Sequence, residues 1–156
     1  MGGYTLARWY QDGKPFASDA LLCGLVRTYG SDSIISDSAP GSTAFSTGFK
    51  SHTGFIATMP DVNNMPGLAP LKKEDIRKPV ATVLEGAKLA GKSTGLVATV
   101  QFVHATPADF AAHTPYRNSF DIIAEQMVYN NVDVVLGGGT RYVTNRKDGE
   151  DMIQIL

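Results

Sequence analysis

The chain has 156 residues, a length suited to one domain that buries most of its apolar surface. Its 14 Lys and Arg residues almost cancel 15 Asp and Glu, so no net field gathers nucleic acid or an anionic membrane, and neither is expected as a partner. No apolar run reaches the roughly 18 residues of a membrane span, and no basic segment followed by an apolar stretch opens the sequence as a signal peptide would.

Residues 4–12 place Leu6, Trp9 and Tyr10 at near-helical spacing ahead of Gly13, which predicts a short helix. The apolar stretch around Cys23-Gly24-Leu25-Val26-Arg27-Thr28 predicts a strand ending at Gly30. Cys23 is the single cysteine, cannot form an internal disulfide and is expected as a small buried hydrophobe. Ile34 and Ile35 then run into Ser36-Asp37-Ser38, followed by Pro40 and a row of small residues. That pattern reads as a strand end feeding a helix that Gly48 would cap.

Residues 51–69 carry two prolines, two glycines and Asn63-Asn64, and are expected as an irregular surface excursion. The charged residues 72–78 read as a solvated approach to a helix from Pro79 through Leu89, stopped by Gly91. A β-rich run over residues 93–100 follows, then a loop at His104-Ala105-Thr106-Pro107, a short helix over 109–113 and a longer one over 118–129. The apolar run Val132-Asp133-Val134-Val135-Leu136 predicts a last strand, stopped by three glycines. Helix, strand, helix, strand argues for parallel strands with helical crossovers, hence an α/β layered fold.

Two motif matches fail on context. Gly86 to Ser93 satisfies the P-loop pattern letter by letter, yet a phosphate-cradling loop leaves a strand and opens a helix, whereas here a helix ends and a strand begins. Gly91-Lys92-Ser93-Thr94-Gly95 spells an esterase nucleophile elbow, with Asp109 and His113 following in triad order. The order of strand and helix is again reversed, and the three residues stand too close in sequence to come from separate strand ends.

Ser38 is the residue with chemical promise. At a helix start it sits among unpaired N–H groups and the positive end of the helix dipole, which favour an anion, although Ser and Asp there also serve as ordinary caps. A serine hydroxyl with acidity near that of water, pKa about 15.7, takes on the order of 12 kcal/mol to ionise at pH 7. The helix dipole supplies at most about 2 kcal/mol, so a base or a metal must make up the difference. No histidine is near Ser38 in sequence; His52, His104 and His113 are the only three.

The string Asp37-Ser38-Ala39-Pro40-Gly41-Ser42-Thr43-Ala44-Phe45-Ser46-Thr47-Gly48-Phe49-Lys50 resembles the nucleophile segment of the alkaline phosphatases, in which the serine after the aspartate is phosphorylated. A second stretch, from His104 to Arg117, resembles that family's segment in which a threonine before a proline ligates magnesium, the residue two before it orders the magnesium shell, and an arginine eleven residues on clamps phosphate. Thr106, His104 and Arg117 fall at those positions. The resemblance implies a three-layer α/β/α sandwich with a mostly parallel sheet. It implies hydrolysis of small phosphate monoesters through a phosphoserine at Ser38, with two zinc ions, one of them on the Ser38 oxygen, and one magnesium. It further implies that Asp37 caps the helix and holds Arg117, and that the protein is periplasmic or secreted.

The likeness departs from the family at both ends. An Asp-Gly-Met-Gly segment supplies a bridging aspartate in the family, while this sequence opens Met1-Gly2-Gly3, and the family's remaining zinc ligands lie beyond the region matched. The expectation is therefore a partial catalytic domain over residues 1–156, with impaired turnover alone and a tendency to pair or associate through an uncovered sheet edge. A related hydrolase of phosphodiesters or sulfates, or a non-catalytic phosphate- or metal-binding domain, remains open on the sequence.

Overall fold

The computed structural model describes Gly13 and residues 17–154. The helix expected over residues 4–12 lies outside the described residues. Three short 3-10 turns, Ala17–Leu21, Lys73–Asp75 and Met152–Gln154, punctuate the chain. Its regular elements are α1 (Ser38–Thr47), α2 (Val83–Leu89), β1 (Gly95–Gln101), α3 (Ala105–Ala108), α4 (Phe120–Tyr129), β2 (Val134–Gly138) and α5 (Arg141–Thr144).

β1 and β2 pair in parallel, Gly95 facing Val134 and Val97 facing Leu136, with a register shift before Gln101 meets Gly138. The crossover between them carries α3 and α4, so the expected strand-helix-strand unit is present. These two strands form the sheet of the described residues. Asp133 fastens its entrance: Lys88 Nζ, the Thr94 N–H and the Thr94 hydroxyl all converge on its carboxylate, at 2.6, 2.7 and 3.0 Å. Those bonds hold its carboxyl down to about 2.

The core is displaced from the sheet toward the crossover. Ala39 of α1 meets Ala105 and Ala108 of α3, joined by Ile56, Val103, Ala111, Ala112 and the inner face of α4, Ile123, Ala124 and Met127. Small side chains at the α1–α3 contact let the two helices approach closely. By contrast Val97 is 77 % exposed and Leu136 57 %, so apolar strand residues face outward.

Several boundaries differ from the sequence expectation. Residues 22–30 form no strand, Cys23 is exposed, and Leu25 is 99 % exposed. A strand needs a neighbour for its backbone groups, and the one sheet of the described residues does not reach this segment. Ile34 and Ile35 likewise sit in exposed bends rather than a strand end. α2 starts at Val83, four residues after Pro79, because Thr82 and Glu85 close a reciprocal capping box that outcompetes the proline signal. Pro79 instead bridges to Thr58. The helix expected over 109–113 ends at Ala108, one turn earlier, leaving Asp109 as its C-cap.

The part of the excursion over residues 55–58 is buried instead of superficial. Irregular backbone can be buried only when its polar groups find partners, and here they do. Ile56 exchanges two bonds with Thr114, Val80 N–H and His113 Nδ1 reach the Ala57 carbonyl, and the Ser51 hydroxyl donates to the Thr58 carbonyl. Helix α1 ends as expected, with Gly48 in the left-handed region at φ 80° donating to the Ala44 carbonyl. The refused P-loop match sits on the last turn of α2 and the approach to β1, the inverse of a phosphate loop.

Thr82 also donates to the Phe110 carbonyl at 2.6 Å, so it joins the start of α2 to the segment after α3. Thr82→Ala removes the cap and that bond together and is expected to lower stability by about 1–2 kcal/mol in urea unfolding; an unchanged midpoint would show that the capping box carries no weight here.

Candidate functional site

The site forms where the first turn of α1 faces the segment after α3. Asp37 caps α1, its Oδ1 accepting from the Ala39 N–H at 3.2 Å, while its Oδ2 receives Arg117 Nη1 at 2.6 Å. The same Nη1 lies 2.9 Å from Ser38 Oγ, across 79 residues of sequence. Arg117 Nη2 lies 3.3 Å from His104 Nε2. A guanidinium only donates, so Nε2 is the accepting nitrogen and the ring hydrogen sits on Nδ1. Asp37, Ser38, His104 and Arg117 are all half-buried.

Three of the five guanidinium hydrogens are thus engaged by Asp37, Ser38 and His104. The other two have no partner among the described residues. Backbone geometry sets where this guanidinium stands, since the Arg117 N–H donates to the Gly54 carbonyl at 2.8 Å.

Thr106 lies within α3 rather than capping it, is exposed, and lines a cavity of about 560 Å³ together with Asp37, Ser38 and Ser42. Lys50 and Arg27 line the same cavity, Lys50 Nζ donating to the Arg27 carbonyl at 2.8 Å. Ser38, Asp37, Arg117, His104 and Thr106 are therefore brought to one place. His113 is not. Its Nδ1 reaches the Ala57 carbonyl and its Nε2 reaches Glu85 Oε1, both at 2.9 Å, which makes it a structural link on the far side of residue 57. Burial works to raise the Glu85 carboxyl, but bonds from His113, Asn130 and the Thr82 N–H outweigh it and hold it below the ordinary range. His52 lies apart, beside Asp32 at 3.5 Å.

Sequence reasoning passed over the residues that support the site. Asp109, considered only within the rejected triad, is fully buried. Its Oδ1 accepts from the Thr43 hydroxyl at 2.7 Å and the Ala57 N–H at 2.8 Å, and its Oδ2 meets the Ser42 hydroxyl. Burial pushes its carboxyl up to about 7 against the lowering pull of those bonds. The signal that could have found it is a lone carboxylate in the apolar run Pro107-Ala108-Asp109-Phe110-Ala111-Ala112, where a charge has no reason to be unless partners await it.

Among the described residues, no three or more His, Cys, Asp or Glu side chains gather as a metal site. Thr106 offers a single hard oxygen, and His104 turns its Nε2 to a guanidinium. That donor set fits neither tetrahedral zinc nor six-oxygen magnesium. What the arrangement can do by itself is hold a tetrahedral anion between Arg117 and the start of α1, beside a hydroxyl.

Comparison with known proteins agrees with the resemblance in the sequence. The family model described as Alkaline phosphatase matches residues 7–155. The repressible alkaline phosphatase of Saccharomyces cerevisiae is 37 % identical over 153 residues, covering 86 % of this chain and 24 % of that one. Alkaline phosphatase 4 of Bacillus subtilis is 40 % identical over 138 residues, covering 83 % of this chain and 26 % of its own length. This chain thus spans about a quarter of the curated relatives it matches. Among solved structures, the alkaline phosphatase of the Antarctic bacterium TAB5 superposes with a TM-score of 0.82 at 31 % identity, over 100 % of this chain and 42 % of that one. A variant of that enzyme has been solved with Mg bound in its M3 site. With a family model over nearly its whole length and the same fold in a relative 31 % identical to it, the chain belongs to the alkaline phosphatase family.

Proposed function

We propose that this chain carries the phosphate-accepting part of a phosphomonoesterase site, with Ser38 as nucleophile and Arg117 as phosphate clamp. The observation that supports the reading best is the 2.9 Å approach of Ser38 Oγ to an Arg117 guanidinium that Asp37 already anchors. The two uncommitted guanidinium hydrogens suit two phosphate oxygens in parallel, at roughly 1.5–3 kcal/mol per charge-assisted bond. Thr106 on the cavity wall and His104 behind Arg117 belong to the same site, by likeness as part of a magnesium shell that residues outside the described set would have to complete.

In this reading the phosphorus of a small phosphate monoester faces Ser38 Oγ. An O–P bond to Ser38 forms as the bond to the leaving alcohol oxygen breaks, the serine proton is lost, and the alcohol is protonated. Water then displaces the serine oxygen and releases inorganic phosphate. Arg117 holds the non-bridging oxygens throughout, and Asp37 keeps the guanidinium from swinging away. Among the described residues the Ser38 hydroxyl accepts from Arg117 and donates to neither Asp37 nor His104, so neither stands as its base. The reading needs a proton-accepting or alkoxide-stabilising group that the described residues do not supply, and the match to only about a quarter of the length of its curated relatives is why residues 1–156 are read as a partial catalytic domain. By the same likeness, the β1–β2 pair is part of a larger parallel sheet in a three-layer α/β/α sandwich, and the protein is periplasmic or secreted. Among the described residues no helix is long and apolar enough to cross a membrane. Pairing with a second copy through the exposed strand residues of β1 and β2 belongs to the same reading.

Calorimetric titration of the chain with inorganic phosphate should show binding that Arg117→Ala weakens at least ~10-fold, the equivalent of about 1.4 kcal/mol; equal affinities for the two proteins would remove Arg117 from the site. Incubation with a phosphate monoester, zinc and magnesium should give slow or no turnover, and acid quenching should trap any phosphate on Ser38 and none on Ser38→Ala. Brisk Ser38-dependent turnover would show that the chain needs no further residues. Preferential cleavage of a diester or a sulfate ester would redirect the reading to a related hydrolase, and phosphate binding without any transfer would make it a binding domain.

A further inference from the structure

The buried polar cluster beneath α1 is used by none of the chemistry above, yet it touches the Ser38 backbone directly and holds the segment whose Gly54 carbonyl receives the Arg117 N–H. Ser42 Oγ has one hydrogen and faces two oxygens closely, the Ser38 carbonyl at 2.5 Å and Asp109 Oδ2, with the Ala39 carbonyl farther off at 3.5 Å. A carbonyl never donates. If Asp109 were ionised, one of these two contacts would set lone pair against lone pair. If Asp109 carries a proton on Oδ2, each contact holds one hydrogen. The other carboxyl oxygen is served either way, since the Thr43 hydroxyl and the Ala57 N–H both donate to Oδ1.

We propose that Asp109 is a positioning residue for Ser38 that acts as a neutral carboxylic acid, its Oδ2 hydroxyl donating to Ser42 Oγ and Ser42 donating in turn to the Ser38 carbonyl. This rests on the reading of Ser38 as nucleophile only for its catalytic meaning. On its other side Asp109 fixes Ala57, whose φ of 39° is unfavourable for a side-chain-bearing residue, and the segment holding Ala57 gives Gly54 to the Arg117 N–H. A single carboxyl thus sets the first turn of α1 and, through residues 54–57, the root of the arginine.

The charged groups around it are few. Asp37 at the head of α1 discourages ionisation, and from the far side His113 approaches the Ala57 carbonyl but not Asp109. Residues 55–57 present backbone and apolar groups. When the proton leaves to solvent, the Ser42 hydrogen turns to Oδ2 and releases the Ser38 carbonyl, so the first turn of α1 loosens.

Burial raises the pKa of the Asp109 carboxyl, so its contribution to stability is lost as pH rises. Below the ordinary carboxylate range both folded and unfolded chains hold the proton and the contribution is complete; as pH rises the unfolded chain gives up its proton first, and stability falls until the folded carboxyl ionises near 7. Carbon-13 NMR of the chain, with the Asp109 carboxyl signal assigned by its disappearance in Asp109→Asn, should show an inflection at about 7. Asp109→Asn places an amide N–H where the acid hydrogen was and keeps the Oδ1 acceptor. Its melting temperature should stay close to wild type at pH ~4 and should not share the wild-type decline toward pH ~7. Asp109→Ala, which takes the carboxyl acceptor from the Thr43 hydroxyl and the Ala57 N–H and the acid hydrogen from Ser42 Oγ, should melt ~10 °C lower. An inflection at ~4, or an Asp109→Asn chain as unstable as Asp109→Ala, would overturn the proposal. Neither measurement uses turnover, so a failure of the phosphatase reading would leave this result standing, and the reverse.

Discussion

The buried Asp109 carboxyl is the junction on which the arrangement depends. It lies at the end of α3, yet its partners are Ser42 and Thr43 of α1 and the Ala57 N–H. Three segments distant in sequence meet on two oxygens. A buried acid of this kind is favourable only when every lone pair and hydrogen is matched, and unmatched it is strongly destabilising. The matching explains why an irregular stretch such as residues 55–58 can run through the core in place of a strand.

From that junction two arms reach the site. One is α1, short and made of small residues, lying on the alanines of α3 so that its first turn projects Ser38 into the cavity. The other is the segment over residues 54–57, whose pairing with Thr114 and Arg117 places the guanidinium. Ser38 and Arg117 are therefore positioned by packing and buried hydrogen bonds. Asp37 completes the arrangement. A free arginine beside a helix N-terminus would be repelled by the positive end of the dipole, and a carboxylate that caps the helix and also binds the guanidinium removes that conflict.

The sheet tells a different story from the site. β1 and β2 are apolar, parallel and largely exposed, whereas parallel sheets in layered folds are covered on both faces. The chain spans about a quarter of its curated relatives, and the alkaline phosphatase fold matched by the TAB5 enzyme extends well beyond the matched region. Local packing around α3 and α4 is complete enough to assemble the arginine, the serine and their supports all the same.

Sequence alone was sufficient where the signal is local. The periodicity of α4, the β-rich run of β1, the glycine that ends α1 and the two strings that point to the alkaline phosphatases are each carried by neighbouring residues, whose side chains and backbone decide the outcome within a turn or two. It was also sufficient to refuse the P-loop and elbow patterns, because the order of helix and strand is local too. Only the tertiary structure decided that residues 22–30 form no strand, that residues 55–58 are buried, and that Asp109 is a buried acid instead of a solvated one. A strand needs a partner to pair with, and a buried polar group needs donors from elsewhere in the chain. Whether those partners arrive is settled by how distant segments pack, which spacing along the sequence does not encode.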